Sequence, residues 1–290
     1  MKLIEVPYRD TQAPNIVLPP NSTDAHCHLF GPRDKYPFSS TTTYQPKEDS
    51  GLTEYGALQT ALGIGRAVFV NASLYGTDNR VILDAIAQGE GKYRGVANVS
   101  RQTTEREYQQ LNDGGFRAGR FNFVAHLEAA PSKEDLDYMV GRFKEMGWHA
   151  DLHFDAKDLR AHQSMLEKFP IDYIIDHMGR VPAKDGIGQE GLRVLLELAK
   201  REHFYVKISG AERITDYQTP YTAAIPIAQK LIEAAPGKIL WGTDWPHPNL
   251  KVMPRDEELV NLLGKITQND PALLKLILVH NPHRLYQFGN

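Results

Sequence analysis

Eight short runs of apolar, β-prone residues recur along the chain, with amphipathic stretches between them. The runs are Thr23–His28, Ala67–Asn71, Gly95–Val99, Arg117–Phe121, His149–Phe154, Tyr173–His177, Tyr205–Ser209 and Ile239–Asp244. Segments such as Ala67-Val68-Phe69-Val70 are apolar on both faces, as buried parallel strands are. The stretches between them read as helices. Thr77–Gln88 carries Val81, Ile82, Leu83, Ala85 and Ile86 at helical spacing behind a Thr77 cap, and Ser132–Met146 opens on a serine cap followed by acids. Leu192–Lys200, Thr222–Ala235 and Asp256–Leu263 follow the same pattern. Eight strand–helix alternations over 290 residues predict an α/β chain folded as one (β/α)8 barrel of the TIM type. The rival is an open doubly wound sheet, which calls for a glycine-rich turn after the first strand. Here that strand ends in His26-Cys27-His28. Residues 1–20, proline-rich and aperiodic, read as an extended arm. Residues 21–290 make the barrel, with residues 29–52 a loop inserted over its C-terminal mouth.

Composition removes several function classes. The net charge of −3 favours neither nucleic acid nor an anionic membrane as partner. No stretch approaches the roughly 18 apolar residues of a membrane helix, and Met1–Pro14 holds no apolar signal core. A single cysteine, Cys27, forms no internal disulfide and fits a reducing, cytoplasmic setting.

Three strand ends carry candidate chemistry. His26 and His28 alternate on the first strand and so share a face. The run Asp-Tyr-Ile-Ile-Asp leads into His177. Strand alternation sends Asp176 and His177 opposite ways, so His177 is expected to enter the mouth and Asp176 to serve the surrounding shell. Asp244 ends the eighth strand before Trp245-Pro246, where it suits a general base or a metal ligand. In a barrel all four groups meet at one mouth. Arg120, Arg180 and Arg213 lie at strand ends near that mouth and favour an anionic substrate, because arginine grips a carboxylate bidentately. Trp241 and Trp245 are candidate pocket walls.

The segments TDAHCHLFGP, GTDN, RFNF, IDHMGR and WGTDWPHPN resemble the amidohydrolase superfamily, and within it the 2-pyrone-4,6-dicarboxylate lactonase group. The resemblance runs from about Ser22 to Tyr286. It implies a distorted (β/α)8 barrel that hydrolyses a carboxylated lactone. Asp244 would activate water, while His26, His28 and His177 polarise the carbonyl. The resemblance adds Ser73, Tyr44 and Asn249 as pocket residues. It implies that no metal is required. The alternative is a single divalent ion such as zinc on His26, His28, His177 and Asp244, with His153 as a further ligand. Two positions depart from the lactonase pattern: His126 stands where the family has an arginine, and His153 where it has a tyrosine. Both would touch substrate, so a related lactone, including a sugar-acid lactone, stays open beside the pyrone dicarboxylate. Further readings are a metal-dependent decarboxylase or deaminase of the superfamily, and a barrel that only binds a small acid. The expected partner is the small anionic lactone itself, with a homo-oligomer allowed and neither nucleic acid nor membrane involved.

Overall fold

The computed structural model describes residues 2–40, 42–124 and 130–289. The predicted strands form one parallel eight-stranded sheet. They are β2 (Thr23–Cys27), β4 (Arg66–Val70), β5 (Tyr93–Ala97), β6 (Phe116–Asn122), β7 (His149–His153), β8 (Tyr173–Ile175), β9 (Phe204–Lys207) and β10 (Ile239–Leu240), ordered β10-β9-β8-β7-β6-β5-β4-β2. Main-chain bonds close the seam between the two edges. Ala25 N–H donates to the Trp241 carbonyl, Asp244 N–H to that of His26, and His28 N–H to that of Trp245. The sheet is therefore a barrel, as the alternation of elements requires.

Helices α1 (Leu52–Leu62), α2 (Arg80–Gln88), α3 (Glu105–Asp113), α4 (Lys133–Met146), α5 (Ala156–Leu166), α6 (Glu190–Leu198), α7 (Ala211–Ile214), α8 (Ile225–Ala234) and α9 (Asp256–Ile266) connect the strands. The Ser132 hydroxyl caps α4 by accepting from Asp135 N–H, as expected. Helix α2 begins later than expected, after Asn79 rather than Thr77. The reason lies in the preceding loop. Asn79 Oδ1 accepts from Asn71 Nδ2 and from Asn98 N–H, and so stitches the end of β4 to the end of β5. This gives the GTDN motif a structural duty.

The extended N-terminal arm carries one short strand. Its strand β1 (Lys2–Ile4) pairs in parallel with β3 (Tyr44–Pro46), which belongs to the inserted loop. That pairing ties the loop down where Tyr44 reaches the barrel mouth.

The barrel's inner base is apolar and small. Ala25, Val68, Val96, Ala118, Ile174 and Leu240 cluster there, together with Leu285, Tyr286 and Phe288 from the far end of the chain. Tyr286 is fully buried. The Phe288 ring lies against the guanidinium groups of Arg66 and Arg94, and Arg94 also donates to the carbonyls of Tyr286 and Gln287. The small strand residues leave a space that this terminal plug fills. Tyr286→Ala should cost about 3–5 kcal/mol, the usual price of a large-to-small change in a packed core, read as a lower urea midpoint at unchanged m-value.

Candidate active site

Above the apolar base the barrel interior turns polar, and alternation explains which residues enter. On β7, His149, Asp151 and His153 point inward, and from β9 Tyr205, Lys207 and Ser209 do so. On β2 the pairing register shifts between Asp24 and Cys27, so that Ala25 packs in the base while His26 and His28 face the mouth.

The four groups expected from the sequence do meet. Asp244 Oδ1 lies 3.2 Å from His28 Nε2, 3.7 Å from His26 Nε2 and 4.0 Å from His177 Nε2. The His26 ring centroid is 5.1 Å from that of His28 and 4.6 Å from that of His177. All four side chains are buried. Asp244 Oδ2 accepts from Arg213 Nε at 3.1 Å and from Nη2 at 2.5 Å. Burial opposes the charge of Asp244, yet Arg213, His177 and the close contact with His28 hold its carboxyl well below the usual range. Burial pulls His177 down to about 4, outweighing the nearby carboxylates of Asp244 and Asp176.

Asp176 corrects the alternation argument. Strand β8 stops at Ile175, and residues 176–180 form a tight turn in which His177 and Met178 take left-handed backbone angles, φ 51° and 52°. A turn does not alternate, so both Asp176 and His177 face the interior. Asp176 Oδ2 accepts from Arg120 Nη2 at 3.2 Å, and its Oδ1 lies 3.2 Å from Lys207 Nζ.

A cavity of about 40 Å³ reaches His28, His177 and Asp244 of this cluster and is lined further by Tyr44, Ser73, Arg120, His153, Arg180, Arg213 and Asn249, together with Ala72 and Pro248. All of these but Ala72 and Pro248 were expected on sequence grounds. Burial lifts the Tyr44 phenol to about 12 against the effect of its bond to Ser73. Arg180 Nε pairs with Asp155 at 3.2 Å. Arg120 also lines a neighbouring cavity of about 320 Å³ with Asn122, Ser100 and Arg101, so the two spaces adjoin at that guanidinium. Trp245 lies elsewhere, packed on Tyr55 at 5.4 Å. His126 falls outside the described residues.

Among the described residues, the combinations able to hold a metal ion are His26 with Asp176 and His177, and His26 with His28 and Asp244.

The amidohydrolase family model matches residues 23–288. The chain belongs to the amidohydrolase family. Over 96% of its length this amidohydrolase is 38% identical to the 2-pyrone-4,6-dicarboxylate hydrolase of Comamonas testosteroni, covering 94% of that protein. It is 36% identical to the 4-sulfomuconolactone hydrolase of Hydrogenophaga intermedia, over 93% of this chain and 90% of that one. Among solved structures it resembles a putative 2-pyrone-4,6-dicarboxylic acid hydrolase from Pseudomonas putida, with TM-score 0.82, 27% identity, and coverage of 94% of this chain and 100% of that one. A probable hydrolase of the same name from Acinetobacter baumannii, with citric acid bound, gives TM-score 0.79 at 27% identity, over 92% and 100%.

Sequence reasoning missed three buried groups of this amidohydrolase. Lys207 sits wholly inside the barrel between Asp151 and Asp176, and its Nζ is 3.1 Å from His26 Nδ1. The signal was present, since Lys207 interrupts the apolar run Tyr-Val-Lys-Ile, and Asp151 alternates with two histidines on β7. The third, Asp24, clamps the barrel seam. It accepts from Thr243 N–H at 3.0 Å, Thr243 Oγ1 at 2.6 Å, Tyr55 Oη at 3.0 Å and His26 N–H at 3.1 Å. Burial raises its carboxyl to about 6, against these four hydrogen bonds.

Gly242 lies in the same seam, where a Cβ would stand 2.5 Å from the His26 nitrogen and 2.9 Å from Asp24 Oδ1. Gly242→Ala must push β10 away from β2, and Asp24→Ala strands the Thr243 and Tyr55 donors. Each should cost about 2–4 kcal/mol and lower the thermal midpoint. Ala72→Ser, a change of similar size beside the cavity, should leave the midpoint nearly unmoved.

Proposed function

We propose that this chain opens the ring of a carboxylated lactone, with 2-pyrone-4,6-dicarboxylate as the leading substrate. The chain is a lactone hydrolase of the amidohydrolase family, and the relatives do not favour the decarboxylase or deaminase reading. The observation that carries the mechanism is the convergence of three imidazole Nε2 atoms on Asp244 Oδ1.

The imidazoles divide the work. His28 Nδ1 lies 2.7 Å from the Val70 carbonyl, which can only accept, so Nδ1 carries a proton. His28 Nε2 and Asp244 Oδ1 are then two acceptors 3.2 Å apart, a place for one proton taken from attacking water. Water held there adds to the lactone carbonyl carbon. The new oxyanion draws on donors from the other imidazoles, and collapse of the tetrahedral intermediate expels the ring oxygen, which takes up the proton. Arg213 fixes Asp244 through Oδ2 and leaves Oδ1 for chemistry. Arg120, Arg180, Ser73, Tyr44, Asn249 and His153 are the groups proposed to hold the substrate's anionic arms, and the sequence resemblance adds His126 to that proposal.

The donor set argues against a resident metal. In the combination with Asp176, the His26 nitrogen beside the carboxylate is Nδ1, 3.3 Å away, where the Lys207 ammonium already stands 3.1 Å off and would repel a second cation. The other needs a lone pair on His26 Nε2, which contact with Lys207 on the opposite nitrogen disfavours. The second substrate reading, 4-sulfomuconolactone, rests on the relative at 36% identity; a sulfonate suits the same arginines.

Purified protein should hydrolyse 2-pyrone-4,6-dicarboxylate, followed as loss of pyrone absorbance, at equal rates before and after chelation. Asp244→Asn should lower kcat by at least about 10³-fold while the protein still binds the lactone. No turnover of either the pyrone or the sulfolactone overturns the reading. Turnover abolished by a chelator and restored by zinc overturns its metal-free form.

A further inference from the structure

Lys207 touches no substrate-facing surface and has no part in the reaction drawn above, yet it lies against one of its imidazoles. Its Nζ contacts His26 Nδ1 at 3.1 Å, Asp176 Oδ1 at 3.2 Å and Asp151 Oδ2 at shorter range, all fully buried. An ammonium donates and never accepts. The nitrogen it faces must therefore present a lone pair, and the proton of a neutral His26 must sit on Nε2. Asp176 Oδ1 is 3.3 Å from the same Nδ1 and on its own would demand the opposite tautomer. At that distance it makes no well-aligned hydrogen bond among the described residues, although its charge pulls on the ring. Lys207 neutralises it instead. His26 Nε2 is likewise buried without a partner, and it points toward Asp244 Oδ1 and the reacting space. A partnerless buried N–H costs stability, and such a donor aimed at the place where charge develops is what carbonyl activation needs. Burial, together with the Lys207 charge, keeps His26 neutral against the pull of Asp176.

We propose that Lys207 is a positioning residue that fixes His26 in its Nε2–H tautomer, making this imidazole a hydrogen-bond donor to the lactone carbonyl oxygen. The inference rests on the lactonase reading for its chemistry, but not for its geometry. Lys207 thereby gives His26 and His28 opposite hydrogen-bonding faces toward the centre. His28 presents Nε2 as an acceptor, because Val70 takes its Nδ1 proton. His26 presents Nε2 as a donor, because Lys207 fills its Nδ1 lone pair. One pair of neighbouring histidines thus supplies both a proton acceptor and an oxyanion donor.

The first test needs no substrate. In the intact enzyme with ¹⁵N-labelled imidazoles, the two-bond nitrogen–proton pattern of His26, assigned by difference from His26→Gln, should show a protonated Nε2 and a bare Nδ1. A proton on Nδ1, or on both nitrogens, overturns the proposal even if the lactone is hydrolysed. If the tautomer is as stated and no lactone is hydrolysed, the functional reading fails and the positioning role stands. The second test is kinetic. Lys207→Met should lower kcat about 10²–10³-fold, the usual effect of losing one oxyanion donor, with KM within about twofold. Lys207→Gln keeps a donor toward Nδ1 and should recover at least about a tenth of the wild-type kcat. Folded Lys207→Met with unchanged kcat overturns the proposal. Where Lys207→Met does not fold, because two buried carboxylates lose their cation, the wild-type spectrum and Lys207→Gln decide.

Discussion

The seam between β2 and β10 is the constraint on which the rest depends. The strands that carry His26 and Asp244 stand at opposite edges of the sheet order, and only closure makes them neighbours. Three backbone hydrogen bonds cross the seam, one from Asp244 N–H to the His26 carbonyl. Asp24 adds four side-chain contacts on the same line, and Gly242 lets the two backbones approach. The distance between the candidate base and its imidazoles is thus set by barrel closure itself. A change that loosens the seam moves the chemistry and the fold together.

Burying charge in this interior is expensive. The barrel manages it by layering. The apolar base is followed by Lys207 with Asp151 and Asp176, and then by the imidazoles, Asp244 and the arginines at the mouth. Each carboxylate in the upper layers faces a cation, with Asp176 near Lys207 and Arg120 and Asp244 on Arg213. Arrangements of this kind stabilise little by themselves, but removal of one member leaves a buried charge unpaired. The network therefore specifies side-chain directions more than it adds stability.

The sequence made the fold legible because the barrel repeats one signal eight times, and all eight strands lie within a few residues of their expected positions. The mouth was legible for a related reason. His26, His28, His177 and Asp244 are polar groups at the C-terminal ends of apolar runs, where the fold concentrates function. Asp176 was misread because alternation was carried one residue past the end of β8, into a turn that does not obey it. Lys207 and Asp151 were missed because they lie inside strands, where a charged residue is normally a lone exception and not part of a set. Their partners are far apart in sequence, and only the closed barrel brings Lys207 within reach of His26.

The terminal plug also sets an order of assembly. Leu285, Tyr286 and Phe288 fill the base of a barrel whose first strand begins at Thr23. As the chain emerges from a ribosome, the early strands can pair with one another, but the interior stays hollow below until residues 285–288 are released. The cluster that joins His26 to Asp244 needs residues 239–244, so it waits until the other seven strands are available to pair. A chain stalled short of its final turns would carry a nearly complete sheet with an open floor, and a protease or chaperone could tell it from the finished barrel at that end.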